Sequence, residues 1–220
     1  MKKFILLIFI ISTSFAQQSW IRIFGGTYQD VGYSVQKTSD GGYTVAGYTR
    51  SFGAGGYDVY IVKTDSSGDT IWTRTYGGVG EDYGYSIQQT MDGGYIITGY
   101  TNSFGVGWDD VYLIKTDSTG DTLWTRTYGG TYFDLGNSVQ QTQDGGYIIV
   151  GNTNSFGNAD IYIIKTNASG DTLWTRTYGG TNFDFGYSVQ QATDGGYIVA
   201  GSTESFERKP PCHILVNFYP

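Results

Sequence analysis

The sequence predicts an all-β fold built from repeated four-stranded antiparallel units, and three observations carry that prediction. The tetrapeptide DGGY recurs at residues 40, 92, 144 and 194, spacings of 52, 52 and 50 residues, and a fixed period of this length marks a repeat array. Each period alternates short β-rich runs with glycine turns, and no segment shows the 3.6-residue apolar period of an amphipathic helix. The composition agrees: 34 Gly against 3 Pro supplies tight turns, and 20 Tyr, 12 Phe and 5 Trp supply apolar area to bury.

The chain opens with Met1, Lys2 and Lys3, the apolar run FILLIFIIS, and small residues Ser14 and Ala16 three and one positions before a cleavage point. This pattern reads as a signal peptide over residues 1–16. Its apolar run is well short of the roughly 20 residues that a membrane-spanning helix needs. The expectation is therefore a secreted or extracellular chain with no membrane span. Removing residues 1–16 takes away two lysines and no acid, so the formal charge moves from −7 to −9. That sign argues against nucleic acid and anionic membranes as partners. Cys212 is the single cysteine, which excludes an internal disulfide framework and leaves burial and backbone pairing to hold the fold.

The repeat array spans residues 17–206. One unit runs from Leu135 to Gly180. Its first strand, NSVQQT, ends at the turn Asp144, Gly145, Gly146, where glycine accepts the positive φ of a tight hairpin. The second, YIIVGNT, is almost continuously apolar, as in a strand covered on both faces. The third, DIYIIKT, passes through Asn167 to Gly170, another hairpin turn, into the fourth, DTLWTRTYGG. Four consecutive antiparallel strands at a period near 50 match a blade of a β-propeller.

The ends of the array suggest how a ring closes. Trp20 to Gly26, WIRIFGG, repeats the spacing of the fourth strand, while the last unit supplies first and second strands and HILVNF supplies a third. The N-terminal strand is then expected to complete the last blade and remove two sheet edges. Four is the low limit for a propeller, so the alternative is a partial ring that a second chain completes: monomer or dimer. Residues 207–220 form an atypical C-terminal tail, holding Pro210, Pro211, Pro220, His213 and Cys212.

DGGYIITGYTNSFG, DVYLIKTDSTGDTLWTRTYGG and the signal peptide together resemble secreted bacterial β-propeller repeat proteins. The resemblance covers about residues 20 to 206 and implies a surface or secreted scaffold without implying a single catalytic activity. Asp117, Gly120 and Trp124 approach the quinoprotein docking motif and the sialidase aspartate box, but their spacing fits neither.

In such a blade, the loops joining strands two and three share one end with the loops joining one blade to the next. Here those loops are long and variable: GGTYQDVG, GGVGEDYG, GGTYFDLG and GGTNFDFG between blades, and GAGGY, GVGWD and GNA within them. Variation of this kind concentrates where binding occurs. Candidate contacts are Tyr57, Trp108, Asp109, Tyr132 and Phe133. Asp30, Asp82, Asp134 and Asp184 recur ten residues before each DGGY; they read either as loop caps or as a carboxylate ring for a hard cation. With His213 the only histidine, a histidine-dependent triad and a histidine zinc site have no support. No catalytic residue and no cofactor are expected. The leading reading is an exported, non-catalytic binding scaffold for a glycan or a protein. The alternatives are a carbohydrate-active enzyme using acidic residues of the loop face, and a purely structural surface repeat protein.

Overall fold

The computed structural model describes residues 19–205 and, for the backbone alone, 212–218. The signal-peptide reading of residues 1–16 falls outside the described residues. Fifteen strands and no helix are present among the described residues, so none crosses a membrane as a long apolar helix. β1 (Asp30–Lys37), β2 (Tyr43–Thr49), β3 (Asp58–Thr64) and β4 (Thr70–Tyr76) form the first antiparallel sheet in chain order. β5 (Asp82–Gln89), β6 (Tyr95–Thr101), β7 (Asp110–Thr116) and β8 (Thr122–Tyr128) repeat it. So do β9 (Asp134–Gln141), β10 (Tyr147–Thr153), β11 (Asp160–Thr166) and β12 (Thr172–Tyr178). β13 (Asp184–Gln191), β14 (Tyr197–Thr203) and β15 (Cys212–Phe218) form a three-stranded sheet, with the HILVNF segment supplying its third strand.

Each β1–β2 type connection is the DGG turn. Gly93 sits at φ 81°, a conformation that glycine adopts without a Cβ penalty. The second and third strands are the buried ones because their side chains face neighbouring sheets on both sides. Ile96 and Leu113 are fully buried between Val139, Tyr147, Ile149 and Tyr162 of the next sheet. Burying each such side chain stabilises by about 1.5–3 kcal/mol, and the three junctions repeat the arrangement with Ile61, Ile97 and Ile114 in the first and Ile148, Ile163 and Val199 in the third.

The sheets are blades of a β-propeller. β1 packs beside β5, β5 beside β9, and β9 beside β13, so the first strand of each blade lines the axis. The ring is not closed, which corrects the expectation that residues 20–26 complete the last blade. Among the described residues, 20–24 form no ladder with β15, which pairs only with β14. Instead they lie against the first sheet in the place of the fourth strand of a preceding blade. Trp20 meets Tyr43 edge-on at 6.0 Å, as Trp72 meets Tyr95 at 5.7 Å, and Arg22 pairs with Asp69 at 2.9 Å. The physical reason lies in the junctions. The same large side chains fill each one, so the turn per blade is fixed, and three such turns do not bring β13 round to β1.

Candidate functional site

The two ends of every blade are built differently. At the end carrying the DGG turns, Lys63, Lys115 and Lys165 are buried and reach Asp40, Asp92 and Asp144 at 2.8, 2.8 and 2.9 Å. Each ammonium also donates to the carbonyl of the following threonine. The Lys63 hydrogen bond, with one from Thr38, holds Asp40 at about 2. The Asp117 hairpin is a side-chain-capped turn in which Thr119 and Asp121 N–H donate to its Oδ1, consistent with a structural role for that motif.

At the opposite end the long loops interlock. Tyr28 N–H donates to Ser51 Oγ in its own blade, while Gly56 N–H donates across the junction to Gly80 O. Asp30, Asp82, Asp134 and Asp184 sit at the start of each first strand and cap these loops. Asp82 Oδ2 accepts from Gly78 N–H at 2.9 Å and Ser103 Oγ at 2.6 Å; Asp134 Oδ2 accepts from Gly130 N–H at 2.8 Å and Ser155 Oγ at 2.6 Å. The other oxygen of Asp30, Asp134 and Asp184 accepts from Thr49, Thr153 and Thr203. All of these oxygens but Asp82 Oδ1, which is buried and has no hydrogen-bond partner among the described residues, are spent on their own loops, and the described residues contain no cluster of three or more metal-ligating side chains.

A second row of aspartates faces the first. Asp58, Asp110 and Asp160 open the third strands, and Asp58 and Asp110 accept from Ala54 and Val106 N–H. Gly77 separates the two rows: a Cβ there would lie 2.3 Å from Asp58 Oδ1 and 2.5 Å from Asp82 Oδ2, which is why the blade-joining loops begin with glycine. Burial, followed by the charges of Asp134 and Asp109, pushes Asp110 up to about 6 against the Val106 N–H that opposes it. Asp58 and Asp160 are raised in the same sense, burial being the first cause in both.

The loops of this end also carry aromatic rings at all three junctions, Phe183, Phe185 and Tyr187 at the third among them, and the candidates fall at the first two. Trp108 is 60% exposed and meets Phe133 at 4.9 Å and Tyr132 at 6.2 Å, both edge-on. Asp109 bridges to Phe133 through the backbone, and its carbonyl accepts from Asp134 N–H at 2.8 Å. Four of the sequence candidates, Trp108, Asp109, Tyr132 and Phe133, are thus brought together. Tyr57 lies one blade away, with Arg50 over its ring at 5.6 Å.

Tyr57 belongs to a cluster that sequence reasoning missed. Tyr48 lies 5.0 Å from Tyr57 and 4.3 Å from Tyr83, Tyr83 stacks on Tyr100 at 4.6 Å, and Tyr33 meets Tyr85 at 5.0 Å. Gln29 ties it together, donating to Tyr48 Oη and accepting from Tyr57 Oη. The charge of Asp109 is felt at Tyr85 and Tyr100, and that of Glu81 at Tyr83 and Asp109, so the carboxylates join both halves of the patch. Burial is the first cause that raises Tyr48, Tyr83 and Tyr85 to about 12, which keeps their hydroxyls protonated as donors. A signal for the cluster existed: the third unit places Asn137 and Asn152 where the second has Tyr85 and Tyr100, and there an amide hydrogen bond of 2.9 Å replaces the rings.

No established protein family and no curated protein matches this sequence. Among solved structures the chain is similar to a protein of unknown function from Bacteroides caccae, with a TM-score of 0.51 and 11% identity over 89% of this chain. The match spans 64% of the length of that structure. At this identity the similarity speaks for the fold.

Proposed function

We propose that this is an exported, non-catalytic repeat protein of the secreted bacterial β-propeller kind, binding a polymeric ligand, a glycan before a protein, at the loop end of its first three blades. The observation that carries this reading is the patch itself. Aromatic rings recur there where the repeat does not require them, beside Asp109 and Glu81, while the opposite end of each blade is nearly invariant. Sugar rings stack on aromatic faces through their C–H groups, and phenol, amide and carboxylate groups pair with hydroxyls. A glycan array followed by titration calorimetry tests it: binding that Trp108→Ala weakens at least tenfold is expected, and no binding to any glycan or surface polymer counts against it.

A second reading, hydrolysis of the bound glycan, is favoured by one observation, the raising of Asp109 by burial and by Glu81, the condition a carboxyl general acid needs. Release of reducing sugar that Asp109→Asn abolishes would replace the non-catalytic reading.

A further inference from the structure

The three junctions between blades share one hydrogen-bond pattern. Ile87, Val139 and Val189 N–H donate to Ser34, Ser86 and Ser138 Oγ of the preceding blade. Gln89, Gln141 and Gln191 N–H donate to Gln36, Gln88 and Gln140 Oε1 at 2.5, 2.5 and 2.6 Å. In return, each of the same three glutamines accepts from a turn N–H of the preceding blade: Ser39, Met91 and Gln143, at 2.8, 2.8 and 2.9 Å. Apolar side chains close the seam, with Ile87, Val139 and Val189 only 5, 6 and 4% exposed.

Each end of the array presents one half of this seam unmet. On β1, Val35 stands at the position of Ile87 and is 48% exposed, and Tyr33 beside it is 54% exposed. On β13, Ser188 and Gln190 stand where Ser34 and Gln36 do, exposed and with no side-chain hydrogen bond among the described residues. The two halves are complementary because they are copies of the halves that meet inside the chain.

Charge adds a direction that the internal seams lack. Lys37 replaces the glutamine of positions 89, 141 and 191, the side chain that reaches the DGG turn of the preceding blade. In the last unit that turn carries Asp194. The two faces thus carry opposite charges at this place, Lys37 on one and Asp194 on the other.

We propose that a second copy of this chain docks its β13–β15 sheet on the exposed face of β1, head to tail, and that two copies close a ring of eight blades. Residues 20–24 already lie where the fourth strand of the incoming sheet belongs. By the register in which Trp72 faces Lys63, Trp20 falls opposite Asn217 of the second copy. Heterologous contacts of this kind close when the rotation matches the ring and otherwise grow into filaments, and eight blades lie within the usual propeller range.

Light scattering on the purified chain, with small-angle scattering for shape, is the test. A compact dimer is expected, dissociating at least tenfold more readily with Lys37→Glu and reduced to monomer by Val35→Glu, a substitution at a half-exposed site that leaves the fold intact by circular dichroism. Ser188→Arg, on the other face, also gives monomer. Mixing the Val35→Glu and Ser188→Arg chains restores a one-to-one complex, since one wild-type seam forms between them. A monomer at every concentration, an open ladder of sizes, or a dimer that persists with Val35→Glu overturns the proposal.

Discussion

The two ends of a single blade treat the same side chain in opposite ways. At the turn end, an aspartate meets a buried lysine and its carboxyl is lowered. At the loop end, Asp58, Asp110 and Asp160 are packed close to a second aspartate row, and their carboxyls are raised. A carboxylate shifted upward by burial stores unfavourable energy in its ionised form, and such shifts concentrate where a protein acts rather than where it is merely held together. The turn end thus neutralises the charge that it buries, and the loop end carries a cost that the turn end does not.

The largest effect that sharpens this contrast comes from the scaffold. Trp124 packs edge-on to Tyr147 at 5.8 Å, under Arg126 at 5.5 Å, and against Gly170 of the next blade. Trp124→Ala should destabilise by about 3 kcal/mol, the lower part of the range for emptying a large aromatic site, since one face of the indole meets a guanidinium rather than the core. Chemical denaturation checks this. A cost under about 1 kcal/mol removes the distinction between the recurring tryptophans and Trp108.

The turns, strand order and tryptophan positions of this fold were legible because each is a local pattern of period two repeated at a fixed interval. The aspartates at 30, 82, 134 and 184 were legible as a recurring set for the same reason, but the choice between loop caps and a carboxylate ring was not. What was not legible depends on neighbours far apart in sequence. Lys63 meets Asp40 only through the register of β2 with β3, and Tyr48 meets Tyr83 only through the packing of two blades. Ring closure depends on the rotation accumulated over three junctions, which no residue announces. Tyr57 and Trp108 looked alike as loop aromatics, yet the first is ordered within a tyrosine cluster and the second stands in solvent.

The next effect is one of pH, and the two ends give it opposite signs. Asp40 is lowered to about 2 in the folded chain, so its contribution is complete above the ordinary carboxyl value near 4 and is lost as the pH falls toward 2. Asp110 is raised to about 6, so its contribution is complete below about 4 and is lost as the pH rises through 6. From these groups stability peaks near pH 4. Asp110→Asn keeps an acceptor for Val106 N–H and should flatten the limb between pH 4 and 6 while leaving the acid limb unchanged. Thermal melts from pH 3 to 8 show the outcome, and an unaltered upper limb means that Asp110 is ionised at no cost.

The smallest effect on stability belongs to the residue most exposed at the site. Trp108 leaves 60% of its surface in solvent and touches Phe133 and Tyr132 by ring edges. Edge-on aromatic pairs contribute about 0.5–1.5 kcal/mol beyond their buried area, and Phe133, itself 41% exposed, is held by its backbone bridge to Asp109 whether or not the indole is present. Trp108→Ala should therefore cost under about 1 kcal/mol. Phe133→Ala should cost little more, and the double substitution should cost less than the two singles together because the ring contact is removed only once. A cost for Trp108→Ala equal to that of Trp124→Ala makes the indole part of the framework. A small cost joined to lost ligand binding assigns it to the surface that the loop end presents.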